Sequence, residues 1–152
     1  MGVGTTFRVY LPSVSELPKI APVQRSFRTE PVTPKTILLV EDEPTLREIV
    51  TLQLQELGYR VHATSGGEEA IRVANDGVGP IDLLLTDVVM PGMNGAQLAN
   101  RLHSKIPKVL LVSGYNDERV FREGYPAFGT YFMQKPLTKL NLGTKLHTIF
   151  QT

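Results

Sequence analysis

Apolar and polar positions alternate in blocks along most of this chain. Residues 36–40, Thr-Ile-Leu-Leu-Val, form a short apolar run that ends in Glu41-Asp42. A run this short, bounded by polar residues, reads as a strand buried on both faces. Leu46, Ile49, Val50, Gln53, Leu54 and Leu57 then recur at helical spacing, with Pro44 in the first turn and Gly58 as the stop. Residues 59–63 read as a second strand, and 67–75 as a helix with Ala70, Ile71 and Ala74 inward. The run from Ile81 to Leu85, with Asp82 inside it, leads to a lone carboxylate, Asp87, and then to a Pro91-Gly92…Asn94-Gly95 turn cluster. A helix over 95–105 carries Leu98, Ala99 and Leu102; strand four spans 108–112, and a short helix 116–122. Strand five covers 130–133, and a last helix covers 138–150 with Leu142, Leu146 and Ile149 inward.

Strands alternating with helices predict an α/β fold: a parallel sheet with helices on both faces, three layers built as (βα)5. Right-handed crossovers leave few topologies, and the doubly wound, flavodoxin-like order 2-1-3-4-5 is the one expected. In that order the carboxyl ends of the strands share one rim, where ligand chemistry in such sheets is found. Strand one ends in Glu41-Asp42, strand three in Asp87, strand four in Ser113 and strand five in Lys135-Pro136. Glu41, Asp42 and Asp87 are then expected within a few ångströms of each other. Like charges that close repel by about 4 kcal/mol per pair at an effective dielectric near 20. Gathering them calls for a cation, and three oxygen-bearing groups suit Mg²⁺ rather than zinc. With Lys135 as a fixed positive charge and Ser113 as a hydroxyl donor, the set has the parts of a phosphoryl-transfer site in which a carboxylate attacks.

Composition narrows the alternatives. Sixteen basic against fifteen acidic side chains give no electrostatic case for nucleic acid or a membrane surface. Cysteine is absent, so there is neither a disulfide framework nor a thiolate metal site, which fits a cytosolic protein. No apolar run nears the roughly 20 residues of a membrane helix, and the start lacks a signal-peptide pattern. His62, His103 and His147 are scattered without metal-ligand spacing and receive no chemical role.

The first 36 residues are of another kind. Gly2-Val3-Gly4-Thr5-Thr6 precedes an alternating Phe7-Arg8-Val9-Tyr10-Leu11, which reads as a short strand after a glycine turn. From residue 12 to 34 the chain holds five of its eleven prolines, too many for a helix, so an extended linker is expected up to a boundary near Lys35. With the chain closing two residues after the last helix, no further domain is expected there.

Four segments carry a resemblance. Glu41-Asp42, the stretch Leu84-Leu85-Thr86-Asp87-Val88-Val89-Met90-Pro91-Gly92-Met93-Asn94-Gly95, Val112-Ser113-Gly114-Tyr115 and Gln134-Lys135-Pro136-Leu137 resemble the receiver domain of two-component signalling over roughly residues 36–150. Carried over position by position, the resemblance implies Asp87 as phosphoacceptor, and Asp42, Glu41, Asp87 and the backbone carbonyl of Val89 around Mg²⁺. It also implies Ser113 as the hydroxyl that moves to the phosphoryl group, Lys135 as its ion-pair partner, Phe132 as switch aromatic and a cis Lys135-Pro136 bond. Many members carry two aspartates where this chain has Glu41-Asp42, and Phe132 lacks the hydroxyl of a Tyr. Val89 and Tyr115, apolar and bulky where a hydrolytic water enters, imply slow loss of phosphate.

Residues 2–12 are similar to the last glycine box and closing strand of a histidine-kinase ATP-binding domain. That gives 1–16 as a remnant of such a domain, 17–35 as the Pro-rich linker and 36–152 as the receiver. No histidine matches the kinase phosphoacceptor box; His103-Ser104-Lys105-Ile106-Pro107 lacks the acidic residue that would follow. The whole then resembles the carboxy-terminal piece of a hybrid sensor kinase, a cytoplasmic acceptor whose parent is an ATP-dependent histidine kinase, membrane-anchored or not. Its expected partner is a kinase phosphohistidine domain or a histidine phosphotransfer protein, with a weak homodimer left open.

Each of these residues alone has a plainer reading. Glu41, Asp42 and Glu43 ahead of Pro44 would cap a helix, Asp87 and Ser113-Gly114 would be turn residues, Lys135 a solvated charge and Phe132 core. Their conjunction at four strand ends on one rim outweighs that. Two other classes compete: a haloacid-dehalogenase-like phosphatase, which wants an acid where Val89 stands, and a contact-only pseudo-receiver, which usually lacks one of the five polar groups.

Overall fold

The computed structural model describes residues 34–114 and 129–152. The glycine-box strand, the linker up to residue 33, Tyr115 and the helix expected over 116–122 lie outside the described residues.

Five parallel strands form one sheet in the order β2-β1-β3-β4-β5, the order expected from the sequence. They are β1 (Thr36–Val40), β2 (Arg60–Thr64), β3 (Leu83–Asp87), β4 (Val109–Ser113) and β5 (Thr130–Gln134). Among the described residues, four helices accompany them: α1 (Pro44–Glu56), α2 (Gly67–Asn75), α3 (Gly95–Leu102) and α4 (Lys139–Gln151).

The two-residue period of the strands sorts the core into two halves. Leu38 and Val40 of β1, Leu84 of β3 and Leu111 of β4 point to one face, where Ala70 of α2 and Leu98, Ala99 and Leu102 of α3 cover them. Ile37, Leu39, Leu83, Leu85, Leu110 and Val112 point to the other, under Val50 and Leu54 of α1 and Leu142, Leu146 and Ile149 of α4. Both faces of the central strands are therefore apolar, which is why the sequence shows them as unbroken runs. Asp82, just ahead of β3, accepts the Thr36 amide at 2.9 Å and the Lys35 ammonium at 2.8 Å. Those two bonds tie the chain down at the boundary read near Lys35.

Helix ends follow from local chemistry. Glu43 caps α1, its carboxylate accepting the amides of Thr45 at 2.9 Å and Leu46 at 2.6 Å. These bonds hold the Glu43 carboxyl below its ordinary value. At the other end Gly58, at φ +90°, gives its amide to Gln55 while the Tyr59 amide reaches Leu54, a Schellman closure that needs a left-handed residue. Asn94 with Gln97, and Thr138 with Asn141, form reciprocal capping boxes on α3 and α4. The last helix thus begins at Lys139, with Thr138 as its cap rather than its first residue.

Several expectations are corrected. Ile49, expected inward on α1, is 45% exposed, because the inward stripe runs through Val50 and Leu54 and Ile49 falls one step off it. Helix α3 stops at Leu102 rather than residue 105: the amides of Lys105 and Ile106 both turn back onto the Leu102 carbonyl ahead of Pro107, which disfavours helix at the residue before it. Strands β2 and β4 sit one residue later than read, and β3 starts at Leu83.

The two α1 positions should part in stability measurements. Leu54→Ala, at a fully buried site, should cost about 2–5 kcal/mol in denaturant unfolding. Ile49→Ala should change stability by less than about 1 kcal/mol. Equal losses would put Ile49 back on the inward stripe.

Candidate functional site

The acidic triplet after β1 divides its work. Glu43 turns away to cap α1, while Glu41 and Asp42 go to the rim, where each offers an oxygen within 4.8 Å of the other and of Asp87. Strands β1 and β3 are paired neighbours, with Val40 opposite Thr86, so Glu41 and Asp87 leave the sheet side by side. Glu41 is buried, Asp42 exposed and Asp87 in between. Three carboxylates and no imidazole or thiolate make a hard, all-oxygen donor set of the kind that fits a magnesium-class divalent cation.

Lys135, one residue past β5, faces this set. Its ammonium lies 2.5 Å from Asp87 Oδ2 and 3.3 Å from Glu41 Oε2. Burial pushes the Glu41 carboxyl up, and the Asp87 charge adds to that; Lys135 and the Glu43 amide, donating to Glu41 Oε1 at 3.3 Å, pull it down without cancelling the rise. For Lys135, burial acts downward, but the hydrogen bond and charge of Asp87, then those of Glu41, outweigh it and hold the ammonium above its ordinary value.

The other oxygen of Asp87 accepts the Val89 amide at 3.1 Å, so the carboxylate is gripped from both sides. The contact seen at Val89 is made by its amide, and its side chain stands 62% exposed beside the site. Ser113 ends β4, and its carbonyl accepts the Lys135 amide at 2.8 Å, which seats the two expected partners side by side. The Lys135-Pro136 bond is cis, as the resemblance implied. Phe132 lies on β5 opposite Leu111, half-buried against the core half under α2 and α3. The structure thus brings Glu41, Asp42, Asp87 and Lys135 into one cluster, with Ser113 and Val89 at its edge.

Two contributors were missed in the sequence. A Cβ on Gly95 would come within 2.2 Å of the Asp87 carbonyl oxygen, so this glycine lets α3 start directly against the Asp87 backbone. The sequence shows Asn94-Gly95 as a turn, as the start of a helix and as part of the receiver-like stretch, but not this close approach. Arg47, in the first turns of α1, donates from one guanidinium nitrogen to the carbonyls of Glu41 at 2.8 Å and Asp42 at 3.3 Å. Nothing in the sequence separated it from a solvated charge. A recess of about 730 Å³ between α2 and α3, lined by Gly66, Arg72, Met93 and Arg101 among others, includes none of the clustered carboxylates or Lys135. Among the described residues no helix is long and apolar enough to cross a membrane.

Comparison with known proteins identifies the family of this fold. The family described as the response regulator receiver domain matches residues 37–147. Sensor kinase CckA of Brucella abortus is 34% identical over an alignment of 161 positions, which spans 99% of this chain but 17% of that relative. The crystal structure of the receiver domain from hybrid histidine kinase CckA superposes with a TM-score of 0.64 at 31% identity, covering 76% of this chain and 99% of the other. A response regulator receiver protein from Sinorhizobium medicae gives a TM-score of 0.69 at 27% identity, over 79% of this chain and 97% of the other.

Removing Lys135 should expose the repulsion it offsets. Lys135→Met should cost about 1–3 kcal/mol at neutral pH, less than a fully buried pair because the ammonium keeps some solvent contact. Glu41 is already pushed above its ordinary value of 4.5 by burial, and without the lysine it rises further. A carboxyl raised in the folded state stabilises the fold below its unfolded value and loses that as pH rises through the folded one. The gap between the variant and the parent should therefore narrow as pH falls from 7 toward 5. A gap that widens on acidification would overturn this account.

Proposed function

This chain belongs to the response regulator receiver domain family of two-component signalling, and on that premise we propose that Asp87 is its phosphoacceptor. The observation that carries the proposal is the Lys135 ammonium seated between Asp87 and Glu41 at the edge of three clustered carboxylates. A carboxylate oxygen of Asp87 attacks the phosphorus of a phosphohistidine on a partner domain. The P–N bond breaks, the imidazole nitrogen keeps the electron pair and takes up a proton, and an acyl phosphate remains on Asp87.

Phosphoryl transfer asks mainly for positioning and for positive charge against the equatorial oxygens. The Val89 amide orients the Asp87 carboxylate through Oδ1, and Lys135 supplies a charge that exists before the donor arrives. Glu41, Asp42, Asp87 and the Val89 carbonyl would hold Mg²⁺, which when bound neutralises the carboxylates and the charge growing on the transferring group. After transfer, Lys135 passes from Asp87 to a phosphoryl oxygen and Ser113 donates its hydroxyl to another. Because the Lys135 amide is bonded to the Ser113 carbonyl, both ends of that grip move with β4 and β5. Phe132, half-buried on β5, then turns inward, biasing a two-state rearrangement of that side of the sheet. Packing alone drives that turn, since Phe132 has no hydroxyl to anchor.

The chain spans 17% of the length of the sensor kinase it matches, so the parent protein is also part of the proposal. That match runs over 99% of the chain, beyond the 37–147 of the receiver family. It supports reading residues 1–16 as the end of a kinase ATP-binding domain, 17–35 as linker and 36–152 as receiver in a cytoplasmic part of a hybrid kinase. The donor is then a kinase phosphohistidine or a histidine phosphotransfer protein, and this chain accepts the group once rather than turning over substrate. A contact-only pseudo-receiver would not need Glu41, Asp42, Asp87, Ser113 and Lys135 together.

Intact mass after incubation with Mg²⁺ and acetyl phosphate tests the acceptor. One added phosphoryl group is expected, absent without metal and absent in Asp87→Asn, whose fold should be unchanged. Uptake by Asp87→Asn would move the acceptor elsewhere. No uptake by the parent chain from acetyl phosphate or from a phosphorylated histidine domain would leave the contact-only reading.

A further inference from the structure

The loop between β1 and α1 carries Glu41 and Asp42 on consecutive residues, outside any strand or helix. Two of its amides are bonded: Glu41 N–H to the Thr64 carbonyl at 3.2 Å, and Glu43 N–H to Glu41 Oε1 at 3.3 Å. Its carbonyls depend on Arg47, whose single Nη1 reaches both Glu41 O at 2.8 Å and Asp42 O at 3.3 Å. The half-buried Arg47 is anchored in turn as part of α1, its own amide donating to the Glu43 carbonyl at 2.9 Å and its carbonyl accepting the Thr51 hydroxyl at 2.7 Å.

We propose that Arg47 is a positioning residue for the cation site: by holding two consecutive carbonyls it sets the directions in which Glu41 and Asp42 present their carboxylates, and so sets the affinity for Mg²⁺. Fixing both carbonyls fixes the peptide planes on either side of Asp42, and the Cα–Cβ directions follow from those planes. Arginine suits the task. It is always charged and points several donors in one plane, whereas a lysine ammonium is a compact charge on a flexible stem. Loss of a group that orients metal ligands without touching the ion typically costs 10–100-fold in affinity. The inference rests on the metal reading given under Proposed function.

The test is Mg²⁺ titration by calorimetry of the full chain, its Arg47→Met variant and its Arg47→Lys variant, with thermal unfolding of each in EDTA. Arg47→Met should weaken Mg²⁺ binding about tenfold or more, and Arg47→Lys should fall between the two. Phosphorylation by acetyl phosphate should need correspondingly more Mg²⁺ for half-saturation, while the rate at saturating Mg²⁺ returns to within about twofold of the parent, the pattern of lost binding rather than lost chemistry. A merely structural arginine would lower the unfolding temperature in EDTA and leave the Mg²⁺ affinity unchanged, and that result would overturn the proposal. Should Arg47→Met fail to fold, Arg47→Lys decides by the same criterion. A parent chain that binds no Mg²⁺ overturns the metal site and this inference together, whereas equal binding by parent and variants overturns this inference alone.

Discussion

Three carboxylates within 4.8 Å of one another push apart the loops that carry them, and Lys135 is the group set directly against that push. Its partners are 94 and 48 residues away in sequence. A sheet whose strands all run the same way brings such distant positions to one rim, because every strand delivers its last residue to the same side. The paired neighbours β1 and β3 place Glu41 beside Asp87, and β5, two strands further along, supplies a long side chain able to reach back to both. The repulsion is tolerable because the sheet beneath is rigid. Ile37 to Val40, Leu83 to Leu85 and Leu110 to Val112 are all buried, so the strand ends cannot drift without opening one half of the core or the other.

That arrangement also explains why Glu at position 41 is at home here. One carboxylate oxygen of Glu41 meets Lys135 and the other accepts the Glu43 amide, so a single buried side chain links the far strand to the start of α1. Burial raises the Glu41 carboxyl, and the ammonium and the amide each work against that rise. Asp42, exposed and without such a link, is the freer of the pair and the one whose direction depends more on the backbone beneath it.

Legibility in the sequence followed how local the cause was. Strand β1 and helix α2 were read to the residue, because an apolar run between polar ends and a period of 3.6 are both visible in a window of about ten positions. Residue-level slips arose where a longer-range contact decided. Ile49 has the spacing of an inward residue, but which stripe of α1 meets the sheet is set by Val50 and Leu54 against the opposing leucines. The end of α3 was placed late because the turn onto the Leu102 carbonyl competes with three more residues of helix, and only Pro107 hinted at the outcome. Within the site, Glu41, Asp42, Asp87, Ser113 and Lys135 were legible because each stands at a strand end, a place that periodicity can find. Arg47 and Gly95 were not, because their roles lie in contacts with backbone carbonyls, and a sequence does not display where carbonyls point.

The same division suggests what is rigid and what is poised at the rim. The Val89 amide holds Asp87 by Oδ1, and Arg47 holds the loop of Glu41 and Asp42, so the acidic side of the cluster is fastened from below. Lys135 is fastened differently: its amide is tied to β4 through Ser113, while its ammonium rests on charges that a new anion can outcompete. A phosphoryl group on Asp87 would bring more negative charge to the rim than the carboxylate it replaces, and Lys135 is the cation there already bonded to that side chain. Its backbone cannot follow without Ser113, and Phe132 stands on the same strand three residues earlier. On the proposed reading, a change of charge at β3 would reach β4 and β5 through the Lys135 side chain and the backbone bond between Lys135 and Ser113.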